Sequence, residues 1–393
     1  MSVDILHLHR ESVYPPSNGG EVRAWKTAER LATAGTVWFA QPCANSYEYD
    51  NGVRIIDIGN PYMRTKLPRI YLWNALLAVD SWGWIDSYQA NKTVETLVQH
   101  PASFDLVVCE SPQMIRASRR LAAHFDSKLL VNFHNAMFEL LDQQLRSRPV
   151  PAPLRERAVT RLRQLEQSAI EAADAVVFQS EDDTDPYDYP ADTLVDVIPN
   201  GCDYEWIASG GAPADVRAKL SLGDTTTCVF VGAYDYEPNR VAADMICEKI
   251  APELPDVEFV LAGRNPPSST PANVSTPGFV SDLPGLLAGA DIALCPLTMG
   301  SGTKLKMMDY LAAGLPIVTT TTGTQGIGIE DGVHALVRDS PEEYYRAIRQ
   351  LERSPELCGK LGENAQQLGR QYAWDNLLDG YDDILATLFP SLR

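Results

Sequence analysis

The chain has 393 residues, enough for two ordinary domains, and its apolar fraction of 45% is that of a globular protein. With 52 acidic against 33 basic side chains and a formal charge of −19, it is not built to bind nucleic acid, because phosphate backbones want a basic surface. Asp outnumbers Glu and only nine lysines occur, a halophile-like balance that an ordinary acidic cytosolic protein can share.

The N-terminal half alternates short apolar runs with amphipathic stretches. Val3–Leu8 reads as a first strand, followed by a Pro/Gly loop and a helix from about Gly20 to Ala34. Thr36–Ala40, Val53–Ile58, Phe104–Cys109, Lys128–Phe133, Ala175–Gln179 and Val195–Pro199 read as further strands, and Leu154–Ala173 as a helix. The rhythm pauses at Asn200-Gly201 and at the Ser209–Pro213 loop. A second series then runs through Thr226–Val231, Val257–Ala262, Asp291–Pro296, Leu315–Thr319 and Ala335–Val337. Helices are expected at Asn239–Ile250, Thr303–Ala313 and Pro341–Glu352. Strand–helix alternation of this kind implies mostly parallel sheets covered on both faces. The expected organisation is a first domain over 1–205, a second over 206–373, and a last helix over 374–393 that packs back on the first.

Seven cysteines, odd in number and without CxxC spacing, are expected to be reduced core residues. The first ten residues lack a basic stretch leading into an apolar one, and no run reaches the ~20 apolar residues of a spanning helix. A cytoplasmic location is therefore expected.

The densest chemistry lies at Gly300-Ser-Gly-Thr-Lys-Leu-Lys-Met-Met-Asp309. It follows a strand, turns on glycines and enters a helix, so unpaired N–H groups of Gly300, Ser301, Gly302 and Thr303 can meet an anion. Lys304 and Lys306 oppose the helix dipole at that end, which a bound diphosphate would offset. The bland alternative is a solvated lysine pair beside a structural turn. Asp309, one turn beyond Lys306, can accept hydrogen bonds from ribose hydroxyls or pair with that lysine. In the first domain Gly19-Gly20 opens a helix where N–H groups could approach a ligand, while His134 and Glu110 sit at strand ends, the ligand-bearing rim of a parallel sheet. Asp183-Thr-Asp185 lies in an acidic segment that reads as a loop or helix cap, and no metal site is expected.

These pieces resemble the retaining GT-B nucleotide-sugar glycosyltransferases, the glycosyltransferase family 4-like or group 1 enzymes. The matching stretches are Phe230-Val-Gly232, Pro238-Asn239, Leu261-Ala-Gly263, Gly278-Phe-Val280-Ser-Asp282, Ala290-Asp291-Ile292 and Gly300–Val318. Gly19-Gly20, His134-Asn135 and Pro199-Asn-Gly201-Cys-Asp203 extend the likeness over nearly the whole chain. The resemblance implies a GT-B fold of two Rossmann-like domains facing across a cleft. It also implies a nucleotide-sugar donor held by Gly232, Asn239, Arg240, Arg264, the Gly300–Thr303 turn and Asp309. His134, Lys304 and Lys306 would carry catalysis, with retention and without a metal or other cofactor. The chain departs from the family at Ser301, where an acidic residue is usual, and at Ala233, where an arginine often follows the strand. Lys304, Lys306, Arg240 or Arg264 would then supply the positive charge. A nucleotide-sugar epimerase of the same architecture and a non-catalytic sugar-binding relative are the alternatives.

Residues 62–85 combine Arg64, Lys66 and Arg69 with Trp73, Trp82 and Trp84. Cations beside tryptophans suit a membrane interface, and a glycan or polyprenyl-linked acceptor would fit such contact, as would a packed helix of the first domain.

Overall fold

A computed structural model describes residues 2–16, 19–42, 47–48, 51–59, 90–146, 148–300 and 302–390. It divides into two compact units, Met1–Ile198 with Leu378–Arg393, and Pro199–Leu377. The division falls at 198/199, ahead of the expected 205/206. The reason is local: Cys202 N–H bonds to Tyr372 O and Trp374 N–H to Cys202 O, so residues after Ile198 are stitched into the second unit. The final helix is correspondingly broken. Trp374–Leu377 stays with the second unit, and Asp379–Leu388 joins the first, where Arg30 pairs with Asp379 at 2.6 Å and with Asp382.

Among the described residues unit 1 holds eight strands: β1 (Val3–Leu8), β2 (Gly35–Gln41), β3 (Tyr47–Glu48), β4 (Val53–Asp57), β5 (Leu106–Glu110), β6 (Lys128–Asn132), β7 (Ala175–Phe178) and β8 (Leu194–Val197). Their order is β3-β4-β2-β1-β5-β6-β7-β8, parallel except for β3 against β4. β5 and β7 are buried at every position, as expected of strands covered on both faces. Unit 2 holds β9 (Thr227–Val231), β10 (Glu258–Ala262), β11 (Val274–Gly278), β12 (Ile292–Cys295), β13 (Ile317–Thr319) and β14 (Leu336–Val337), ordered β11-β10-β9-β12-β13-β14 and all parallel. β3 and β11 escape the sequence pattern. Both are edge strands, and Val274-Ser-Thr-Pro-Gly278 carries no apolar run because one side faces solvent.

Each sheet is doubly wound. The chain leaves β1 toward β2 on one side and returns to β5 on the other, and it does the same from β9 to β10 and to β12. Such reversals open a crevice at the carboxyl ends of the central strands, where ligands bind.

Candidate functional site

In unit 2 the crevice lies beyond β9 and β12. Lys306, in the first turn of the Leu305–Ala312 helix, reaches into it. Its Nζ donates to Asn239 Oδ1 at 2.5 Å and stands 4.1 Å above the centre of the Phe230 ring. Asn239 is fixed in turn by donating from Nδ2 to Ala233 O at 2.9 Å. Among the described residues no carboxylate pairs with Lys306. Loss of solvation on burial pushes its ammonium down to about 8. A charged amine kept from water without a counter-ion is costly, and an anion would relieve that cost.

Gly232 makes room for this arrangement. A Cβ there would stand 2.8 Å from Asn239 Nδ2 and 3.2 Å from Lys306 Nζ. The Gly300–Thr303 turn precedes the helix with Gly300 at φ 114° and Gly302 at φ 67°, left-handed conformations that favour glycine. Ser301 lies outside the described residues.

Other predicted groups have different places. Thr303 Oγ1 accepts from Asn200 N–H at 3.0 Å, and its carbonyl accepts from Asn200 Nδ2 at 2.8 Å. This threonine ties down the start of unit 2. Lys304 turns back on its own loop, donating to Gly302 O at 2.5 Å and to Gln325 Oε1 at 3.3 Å. Its charge is engaged in shaping the turn. Arg240 stands on the outer face of its helix beside Glu237 and Asp244, both at 3.5 Å, and Arg264 pairs with Asp235 at 3.2 Å. Of the four cations, Lys306 is the one whose head group meets Asn239 and the Phe230 ring, while Lys304 is held by its own turn near the end of β12. Asp309 forms no ion pair with Lys306 among the described contacts. It faces the Asp203 side, and burial with that neighbouring charge raises its carboxyl to about 7.

In unit 1 the strand registers assemble a cluster at the β1–β5 crevice. His7 pairs with Val108, and Glu110 pairs with Asn132. A two-residue period therefore puts His7, Glu110, Asn132 and His134 on one face. Glu110 Oε2 accepts from His7 Nε2 at 2.8 Å and from Asn132 Nδ2 at 2.6 Å, while His134 Nε2 stands 3.0 Å from Oε1. Burial alone would raise the Glu110 carboxyl, but hydrogen bonds from His134 and His7 hold it well below the ordinary carboxylate range. His134 Nδ1 faces Gln179 Nε2 at 3.3 Å, so both ring nitrogens already have protein neighbours. His7 and Asn132 are absent from the sequence-based site because single polar residues inside apolar strands carry no motif. Their alignment with Glu110 needs the register.

Gly19 and Gly20 begin the Gly19–Leu31 helix, as expected. Its first turn already contains the buried carboxylate Glu21, which complements the dipole and disfavours a second anion there. Asp183 is buried rather than solvated: Oδ2 accepts from Ser180 Oγ at 2.7 Å and Oδ1 from Ala136 N–H, 47 residues away, at 3.4 Å. Among the described residues no group of three or more His, Cys, Asp or Glu side chains could hold a metal ion. No helix among them is long and apolar enough to cross a membrane.

Residues 225–354 match the model of the family described as Glycosyl transferases group 1. Two Bacillus subtilis proteins provisionally named as glycosyltransferases align in part. EpsD is 27% identical over 156 residues, 36% of this chain and 39% of that protein, and YtcC is 24% identical over 204 residues, 45% and 50%. The chain thus aligns with half or less of these curated relatives' length. Among solved structures, the sucrose-phosphate synthase of Thermosynechococcus elongatus superposes with a TM-score of 0.76 at 17% identity, covering 99% of this chain and 100% of that one. Anabaena HepE, in complex with UDP and glucose, gives 0.70 at 15% identity over 98% and 99%. WaaG, a glycosyltransferase involved in lipopolysaccharide biosynthesis, gives 0.70 at 14% over 97% and 99%. The fold is the GT-B fold, and the match to the group 1 family model is confined to 225–354, about a third of the chain.

Proposed function

We propose that this chain is a glycosyltransferase that moves a sugar from a nucleotide-diphosphate donor to a hydroxyl acceptor. The observation that carries the reading is Lys306, a partly buried ammonium without a carboxylate partner among the described residues, poised at the unit 2 switch point beside Gly232. A diphosphate there gains a charge-assisted hydrogen bond and the N–H groups of the glycine turn. As the bond from the anomeric carbon to the diphosphate oxygen breaks, negative charge grows on the leaving group, and Lys306 stabilises it more in the transition state than before. The acceptor hydroxyl forms the new bond, and its proton passes to a departing phosphate oxygen, in keeping with retention of configuration. The group 1 match favours transfer over epimerisation. Titration calorimetry with UDP-, GDP- and ADP-sugars tests the reading. One of them is expected to bind, and failure of all three to bind or to transfer would overturn it.

Asp309 is assigned to the ribose hydroxyls. Asp309→Asn is expected to weaken donor binding about tenfold with kcat little changed, because ribose contacts are alike in ground and transition states. Loss of kcat at unchanged donor affinity would put Asp309 on the sugar instead.

The acceptor is a glycan or a polyprenyl-linked glycan, with the protein working in the cytoplasm and touching the membrane through 62–85. That segment lies outside the described residues, so its basic and aromatic composition is the support. Changing Arg64, Lys66 and Arg69 together to Gln is expected to release the chain from anionic liposomes while donor binding persists, each cation contributing about 1 kcal/mol at the surface. Sedimentation with phosphatidylglycerol vesicles measures it, and a parent chain that fails to sediment would remove the membrane contact.

A further inference from the structure

Glu110 ends β5 with no exposed surface in its side chain, and the groups around it leave few choices of proton position. Asn132 Oδ1 accepts from Tyr381 Oη at 3.0 Å, which orients the amide so that Nδ2 donates to Glu110 Oε2. His7 shares Oε2, and its Nδ1 is buried without a partner among the described residues. A proton on that nitrogen would bury an unpaired N–H, so the N–H that His7 presents to Glu110 is on Nε2. The polar atom that meets Oε1 is His134 Nε2, at 3.0 Å. On the other side of that ring, Gln179 presents its amide nitrogen to Nδ1 at 3.3 Å. An amide N–H meets a ring nitrogen only where that nitrogen is an acceptor.

We infer that Glu110 is a positioning residue that holds His134 with its proton on Nε2 and leaves Nδ1 as a hydrogen-bond acceptor for a sugar hydroxyl. The word sugar rests on the glycosyl-transfer reading; the tautomer does not. The long Gln179 contact is weaker than a hydroxyl's bond would be, so the amide gives way when a hydroxyl arrives. A phosphate diester has acceptor oxygens only and cannot bond to a bare Nδ1. The unit 1 crevice therefore selects hydroxyl donors, whereas Lys306 in unit 2 selects anions. Other charges nearby do not alter this. His9 is neutral, pushed down to about 4 by burial. Arg23 is buried and donates to Ile198 O at 2.7 Å. Cys109, with burial pushing its thiol up to about 12, keeps its proton.

The test is nitrogen NMR of the full chain with 15N-labelled histidine, the His134 signals being assigned by their loss in His134→Gln. The expected spectrum has Nε2 protonated and Nδ1 bare near pH 7. Glu110→Gln is expected to mix the tautomers and lower kcat about 10²-fold, the cost of a misplaced contact, with the nucleotide-sugar Kd within twofold of the parent. A parent His134 protonated on Nδ1 overturns the inference, as does a Glu110→Gln chain with unchanged tautomer and kcat. Should Glu110→Gln fail to fold, Gln179→Leu keeps the question open to measurement. It removes the competing amide and should leave Nε2 protonated, and a switch to Nδ1–H would refute the assignment. A chain that binds no nucleotide sugar would sink the glycosyl-transfer reading, while the spectrum still decides the tautomer.

Discussion

Replacing Lys306 with Met is expected to cut turnover about 10²–10³-fold, the usual cost of losing one electrostatic contact to a developing anion. The same variant should make the ligand-free protein more stable. Lys306 titrates near 8 in the folded chain against 10.5 in the unfolded one, because burial disfavours the ammonium. Below pH 8 the group is charged in both states, and the folded state bears a burial cost of about 3 kcal/mol, the free energy of that difference in proton affinity. That cost fades as pH rises toward 10.5. Met keeps the length and apolar contact with Phe230 while removing the charge, and loss of the bond to Asn239 offsets part of the gain. A net gain of about 1–2 kcal/mol, or some 2–8 °C in melting temperature for a domain of this size, is the expected result by scanning calorimetry at pH 7. A lysine that merely supported the fold would show the reverse, lower stability along with lower activity.

Donor affinity should pass through a maximum between about pH 7 and pH 8. The carboxyl of Asp309 is raised to about 7 by burial and by Asp203, and the ribose hydroxyls bond best to its ionised form. Below pH 7 the free carboxyl is protonated and bonds the ribose about as weakly as the amide of Asp309→Asn, so affinity falls by about tenfold and then levels. Lys306 is lowered to about 8, and the diphosphate bonds to its protonated form, so affinity falls about tenfold for each step of one in pH above that value. A nucleotide sugar is the right probe, because its diphosphate is a diester that stays fully ionised across this range. Isothermal titration from pH 5.5 to 9.5 should give the bell. Asp309→Asn is expected to flatten the acid limb and Lys306→Met the alkaline limb. A parent curve flat across the range would mean that neither group meets the ligand.

Much of the architecture is legible along the chain. Stretches such as Leu106–Cys109 and Ala175–Phe178 are continuous apolar runs because both of their faces are covered, and Pro341–Glu352 begins at a serine cap that the structure completes with Glu343. The Gly300–Asp309 stretch likewise announces itself, since glycines, a helix start and scarce lysines coincide within ten residues. Local sequence determines these features because each depends on neighbours within a turn or a strand. What tertiary structure decided is which cation does what. Lys304 and Lys306 are two residues apart, yet one folds back to Gly302 O and Gln325 while the other meets Asn239, 67 residues away, in the β9–β12 crevice. A two-residue step on a helix start turns side chains to different sides, and only the packed sheet shows which side is the crevice. The His7–Glu110–Asn132–His134 cluster is more strongly hidden. Its members are spread over 127 residues of sequence and meet because parallel registers set β1 beside β5 and β5 beside β6. A parallel register is fixed by the crossovers and the packed faces of the whole sheet, information that no short window of residues contains.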